Sequence, residues 1–316
     1  MYRYTAYELD IASELELPEL VPAEGTPPGT PDITIRLGST PPEIENVTFR
    51  RPVWTVNHDA WLQEIEDVGR YYVHRGGTEV VIERTGGTDA ELRCYFFGTV
   101  LGAIFHQRHQ FVLHACAVTK HGGAIVLTGN SGSGKSTTLA TLLERGYELL
   151  SDDKTILRFG DDGPEVLSGY PTMRLWGDAA ERMHLDPAEL PELLPGKGKY
   201  LYQTPAFRHE PAPLRALVML HVPRPVSKGG PPDEALTGVE TRYLSVHRGI
   251  QTILRQTYRR SILNGLGLQA EHFQWATRIG DAVPVIRIVR PRLGDTVEAV
   301  ADAVDAVAAS TAATLA

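Results

Sequence analysis

Gly129-Asn130-Ser131-Gly132-Ser133-Gly134-Lys135-Ser136, followed by Thr137, is the stretch on which the reading of this chain turns. It satisfies G-x-x-x-x-G-K-[ST] at every fixed position. Ahead of it, Ala124 to Thr128 (AIVLT) is a short apolar run, as a strand buried on both faces requires. Behind it, Leu139, Leu142 and Leu143 fall on one helical face, and Gly146 stands where a C-cap glycine belongs. Tyr147 to Leu150 then begins another strand. Strand, glycine loop, helix, strand is an α/β unit. Glycines in such a loop let backbone N–H groups turn inward around phosphate oxygens. The following helix offers its positive N-terminal end to the same anion. Lys135 is placed to reach the β- and γ-phosphates of a nucleotide, and the Ser136 hydroxyl to ligate Mg²⁺. Residues 129–137 are therefore the expected nucleotide site, with ATP and Mg²⁺ as its ligands.

One α/β unit later, LLSDD ends in Asp152 and Asp153. Carboxylates closing an apolar strand beside a phosphate loop can hold Mg²⁺ or accept a proton. Neighbours on a strand face opposite sides, so the two are expected to divide these duties. On the strand before the loop (Phe111 to Val118), His114 in LHACAV is the histidine expected near Asp152, polarising or orienting it. His106, His109 and His121 lie close in sequence, but their spacing matches no metal-ligand pattern and no cysteine joins them. Arg174 in YPTMRLW and Lys197 and Lys199 in PGKGKY are candidate substrate or phosphate contacts, although loop lysines are ordinarily solvated.

Further out, the patterning changes. Residues 18–52 hold eight prolines, which argues against a long helix there. Asp32 to Leu37 alternates like an edge strand; Gly69 to His74 and Glu79 to Glu83 read as a hairpin around Gly76-Gly77. Val100 to His109 suits a short helix. Residues 1–105 thus read as a small β-rich module and 106–316 as the α/β part. In the latter, Arg215 to His221 and Val283 to Val289 are strands, 226–233 a loop, and Thr241 to Leu268 mostly helical, with Ile250, Ile253, Leu254, Thr257 and Tyr258 along one face. Val297, Val300, Val304 and Val307 mark an amphipathic docking helix.

Composition bounds the function. With 316 residues, a net charge of −8, 42% hydrophobic and 22% charged residues, the chain is globular, and its acidity argues against nucleic-acid binding. Two cysteines, Cys94 and Cys116, exclude a disulfide scaffold. No run approaches about 18 apolar residues, and the acidic N-terminal stretch is unlike a signal peptide, so the expectation is a cytoplasmic protein with no membrane segment.

In order and spacing, His114, Lys135 and Asp152-Asp153 resemble the catalytic domain of HPr kinase/phosphorylase, the successive sites standing 21 and 17 positions apart. The run from Leu113 to Asp153, with PTMRLW and GKGKY after it, looks closer still to the stand-alone HPr-kinase-related proteins. Some of these accompany lasso-peptide and other ribosomal-peptide clusters, where such a kinase modifies a precursor's C-terminal serine. The resemblance is strong over about 97–160 and weaker to about 222. It implies a P-loop core of the HPr kinase/PEP carboxykinase-like kind, an ATP- and Mg²⁺-dependent kinase acting on a peptide, protein or small-molecule hydroxyl, and a homo-oligomer. By the same resemblance Asp152 would be the general base, His114 would tune it, and Asp153 would support Mg²⁺ or orientation. Three features depart from HPr kinases: Thr137 replaces their glutamate, their C-terminal signature, tied to phosphorolysis, is missing, and residues 1–105 do not resemble their regulatory domain. Together they argue against HPr as acceptor and against phosphorolysis. The alternatives are a nucleotide-driven ATPase or switch and a binding protein that has lost catalysis. No LSGGQ-like or NKxD string supports the first, and an intact Lys135, Ser136 and Asp pair opposes the second.

Overall fold

A computed structural model describes residues 1–25, 29–223 and 236–312; the 226–233 loop and the Pro27-Pro28 pair lie outside these. The molecule is mixed α/β. An N-terminal nine-stranded sheet runs in the order 21–22, 2–6, 9–13, 33–37, 79–84, 69–74, 61–65, 54–56, 49–51. Period-two patterning sets its register: Gly69, Tyr71 and Val73 are buried while their neighbours are half-exposed, and Tyr71 and Val73 face Ile82 and Val80 across the hairpin. The strands expected at 32–37, 69–74 and 79–83 are present as Ile33–Leu37, Gly69–His74 and Glu79–Arg84, but the first is not an edge: it is hydrogen-bonded on both sides, to 9–13 and to 79–84. Helical structure then fills 89–107. Thr88 and Glu91 form a capping box at its start, a five-residue π turn spans Phe96–Val100, and Leu101–Gln107 is wholly buried.

In the second sheet the strand Gly123–Gly129 lies parallel to Ala212–His221, which is parallel to Val285–Val289. Ala115–Lys120 and then Glu148–Ser151 extend it antiparallel on the other side. Gly123–Gly129 is buried almost throughout, which explains its unbroken apolar run. Alternate residues divide between two faces. Ile125 and Leu127 pack with Leu139 and Leu142 of helix Lys135–Glu144 and with Val300, Val304 and Val307 of helix Val297–Ala312. Ala124 and Val126 face Ile253 and Ile279, on the helices Val246–Arg255 and Gln269–Ala282. The C-terminal helix docks as its spacing predicts; each buried valine contributes roughly 1.5–2 kcal/mol.

Two more expectations are corrected. Phe111 to Val118 is not one strand: it breaks at His114 into Phe111–Leu113, paired with Thr155–Gly160, and Ala115–Lys120. The 241–268 segment is mostly helical, as expected, but not continuously so, and Thr257 and Tyr258 do not share the helical face of Ile250, Ile253 and Leu254. It holds a strand (Glu240–Tyr243) and two short helices (Val246–Arg255 and Arg260–Gly265), with Thr257 and Tyr258 in the break between the helices. There the Tyr258 amide donates to Val112 O and the His114 amide to Gln256 O, so strand pairing has outcompeted helix continuation.

Candidate active site

The loop Gly129–Ser136 leaves the carboxyl end of its strand and enters helix Lys135–Glu144. Gly129, Gly132 and Gly134 all have positive φ, of 148°, 78° and 100°. A Cβ on Gly129 would lie 2.4 Å from the Leu220 carbonyl oxygen, a main-chain atom that cannot yield, so this exit is built for glycine. No side chain caps the helix, which leaves its first-turn amides without a side-chain acceptor, as an anion site requires. Lys135 Nζ donates to Gly129 O at 2.7 Å and Asn130 O at 3.4 Å. Burial lowers its pKa.

A cleft of about 270 Å³ is walled by Ser131, Gly132, Gly134, Lys135, Ser136 and Thr137 of the loop together with His114, Asp152, Asp153, Arg174 and Lys199. Most of the residues singled out from sequence thus share one cleft. Gly129, Asn130 and Ser133 belong to the loop but not to its cleft-facing wall. Lys197 stands apart: it is exposed in a turn whose Gly196 and Gly198 amides donate to Glu192. Ala115, Trp176, Asp178 and Arg290 complete the lining.

The strand Glu148–Ser151 ends before the aspartates, so they occupy a turn rather than opposite strand faces. The Lys154 amide donates to Asp152 O at 2.8 Å, and Asp153 adopts a left-handed φ of 66°, which Asp tolerates better than most residues. Asp152 Oδ2 accepts the Arg174 amide at 2.8 Å, and its Oδ1 accepts nothing among the described residues. Burial, and then the neighbouring Asp153 charge, push the Asp152 carboxyl up. Asp153 Oδ2 accepts from Lys154 Nζ at 2.6 Å and Arg174 Nη1 at 3.2 Å, and Oδ1 lies 3.3 Å from His114 Nδ1. Burial opposes its charge, but Lys154, His114 and Arg174 outweigh burial and hold Asp153 well below the usual carboxylate range. Two adjacent carboxyls are therefore driven apart, the pattern that separates a proton acceptor from a fixed anion. His114 pairs with Asp153, not with Asp152 as expected; the strand break at His114 and the left-handed turn at Asp153 bring those two together.

Sequence reasoning missed Lys154, Trp176, Asp178 and Arg290. Arg290 could have been found: it follows the strand Val285–Val289 at its carboxyl end, where parallel sheets place ligand sites. Its Nε donates to Ser133 O at 3.3 Å. A fully buried lysine such as Lys154 carries no sequence signal.

A cation in this cleft would have the Ser136 hydroxyl as a protein ligand. No group of three or more His, Cys, Asp or Glu among the described residues could hold a metal unaided. That donor set fits Mg²⁺, which keeps waters and phosphate oxygens and takes only one or two protein ligands.

Comparison with known proteins places the chain beside kinases. It is 33% identical over 95 residues to HPr kinase/phosphorylase of Prosthecochloris aestuarii, covering 30% of this chain and 26% of that one. It is 37% identical over 59 residues to the protein of the same name from Shouchella clausii (19% and 18% covered) and 30% identical over 113 residues to that of Chlorobaculum tepidum (35% and 30%). The chain spans about a quarter of the length of the curated relatives it matches. No family model matches it. The HPr(Ser) kinase/phosphatase of Coxiella burnetii aligns over 65% of this chain and 97% of that chain at 14% identity and a TM-score of 0.30. In sequence the chain is HPr kinase-like.

Proposed function

We propose that this chain is a Mg²⁺- and ATP-dependent phosphotransferase that delivers a γ-phosphate to a serine-type hydroxyl of a peptide or protein, with Asp152 as general base. One observation carries the reading: Asp152, with a raised carboxyl and an oxygen that accepts no hydrogen bond, shares the cleft with the Gly129–Ser136 loop, while its neighbour is held by an ammonium, a guanidinium and an imidazole. Asp152 Oδ1 takes the acceptor's hydroxyl proton, and the raised pKa makes it the better base of the two. Asp153 orients that turn. As a direct Mg²⁺ ligand it is a poor choice, because a divalent cation would meet Lys154 and Arg174 at close range. Loop amides, Lys135 and Arg290 face the phosphates; Ser136 would hold Mg²⁺, which when bound offsets charge on the transferred group. Trp176 and Lys199, with Nζ 5.5 Å above the indole, form the outer wall against which a substrate is oriented.

The test follows the label. Wild type and Asp152→Asn are each given Mg²⁺, γ-labelled ATP and fractions of an extract of the source organism. A labelled hydroxyl product that falls at least about 100-fold in the variant, with nucleotide affinity retained, is expected. Free phosphate alone, indifferent to every fraction, would move the reading to an ATPase; full transfer by Asp152→Asn would remove its role as base.

A further inference from the structure

We infer that Lys154 is a positioning residue for the Asp152–Asp153 turn, and that the N-terminal sheet acts on the site through it; this rests on the phosphotransfer reading of that turn. Lys154 is fully buried and does not line the cleft. Three remote segments converge on it. Its Nζ donates to Asp153 Oδ2 at 2.6 Å and to Phe97 O at 2.5 Å, and lies 4.5 Å above the Tyr258 ring. Its main-chain oxygen accepts the Tyr7 hydroxyl at 2.9 Å.

Two of these partners are held in unusual backbone conformations. Tyr7 is at the tip of the hairpin formed by Tyr2–Ala6 and Leu9–Ser13, with a left-handed φ of 54° that a tyrosine adopts only when its surroundings impose it. Those surroundings are Phe105, 4.9 Å away edge-on, and the Ser168 carbonyl, which accepts the Tyr7 amide at 2.8 Å. Phe97 and Gly98 lie in the π turn, a feature that recurs at functional sites. Gly98 O accepts the Tyr258 hydroxyl at 2.7 Å. The Tyr258 ring lies so close over Gly102 that a Cβ there would come within 2.5 Å of it.

The energetics favour a positioning purpose. An ammonium removed from water costs several kcal/mol, and well-packed apolar residues are often the more stable alternative to a buried ion pair. What the buried ammonium supplies is geometry. It ties Asp153 to the N-terminal module's π turn from behind, while Arg174 and His114 hold the same carboxylate from the cleft side. The left-handed turn is thereby fixed, and with it the place of Asp152.

The experiment uses the full chain and two variants, Lys154→Met and Tyr7→Phe. Mg·ATP affinity is measured by calorimetry, γ-phosphate turnover well below each variant's Tm, and amide hydrogen exchange in peptides covering 150–156. Lys154→Met is expected to bind Mg·ATP as wild type does and to lose about 100-fold in kcat at unchanged KM. Tyr7→Phe, which deletes one hydrogen bond, is expected to lose about 10-fold in kcat and to exchange faster at 153–155. A merely structural tyrosine would lower Tm and leave kcat at low temperature alone. Unchanged kcat in folded Lys154→Met, or a loss shared equally by nucleotide affinity, overturns the proposal. Should Lys154→Met not fold, Tyr7→Phe decides by the same criteria. Should wild type move phosphate to nothing, including water, the phosphotransfer reading fails. The exchange result then decides for the tether alone: faster exchange confined to that turn upholds it, and unchanged exchange overturns it.

Discussion

Asp152 and Asp153 differ in chemistry although nothing in the dipeptide distinguishes them. One has lost water and gained a single amide donor; the other has gained an ammonium, a guanidinium and an imidazole. Lys135 is the converse case, a residue whose role is legible locally because loop, lysine and hydroxyl are contiguous. The hydrogen bonds of Lys135 Nζ are to loop carbonyls, so Lys135→Ala is expected to leave Tm nearly unchanged while weakening Mg·ATP binding at least about 10-fold. Calorimetric titration of the folded variant checks this, and wild-type affinity would sink the phosphate-loop assignment.

At the scale of elements, the break at 256–259 matters most for the site, because it carries Tyr258 and receives the His114 amide. Two buried histidines brace it. His106 Nε2 lies 2.7 Å from Tyr258 O and must donate to it. His272 Nε2 lies 2.6 Å from Thr257 Oγ1, whose own hydrogen goes to Leu254 O, and the ring stacks on Phe111 at 4.3 Å. Burial is the main reason their pKa values fall, to about 4 for His106 and about 3 for His272. Below an unfolded-state pKa of about 6.5 the unfolded chain therefore takes up protons that the folded chain refuses, and stability falls with pH. Each histidine is expected to remove about 2 kcal/mol between pH 6.5 and 5, with little change above pH 7. Urea midpoints across that range test this. His272→Phe, which keeps the stack, should remove its own share of the slope; a wild-type midpoint flat from pH 7 to 5 would refute the bracing by neutral imidazoles. The helical pattern read over 241–268 was genuine for Ile250 and Ile253, but periodicity has no access to the Val112 carbonyl that pulls Tyr258 out of the helix.

Over the whole molecule, one hydrophobic cluster joins the N-terminal sheet to the second part: Ile11, Ile33, Trp61, Tyr71 and Val80 share it with Val112, Ile156, Leu167, Tyr170 and Ile262. The ion pair of Arg158 with Glu8 crosses the same boundary. Such a continuous core predicts a single cooperative transition. The four tryptophans allow a direct test, since Trp54 and Trp61 lie in the N-terminal sheet and Trp176 and Trp275 in the rest. Trp54→Phe/Trp61→Phe and Trp176→Phe/Trp275→Phe each leave one region as reporter. Urea transitions followed by fluorescence and by circular dichroism should coincide within each variant; a reporter that melts apart from the global signal would show two independent units.

What the sequence determined by itself was local: the glycine loop between an apolar strand and an amphipathic helix, the hairpin around Gly76-Gly77, and the valine stripe of the C-terminal helix. These rest on periodicities and spacings of a few residues, which the backbone imposes before any tertiary contact forms. The tertiary structure decided which carboxylate His114 meets, where the long helical pattern breaks, that Lys197 stays outside the cleft while Arg290 enters it, and that Lys154 is sealed between Asp153, Phe97 and Tyr258. Each of those outcomes depends on hydrogen bonds and desolvation between segments tens to hundreds of residues apart, whose balance is set only once the two sheets have packed.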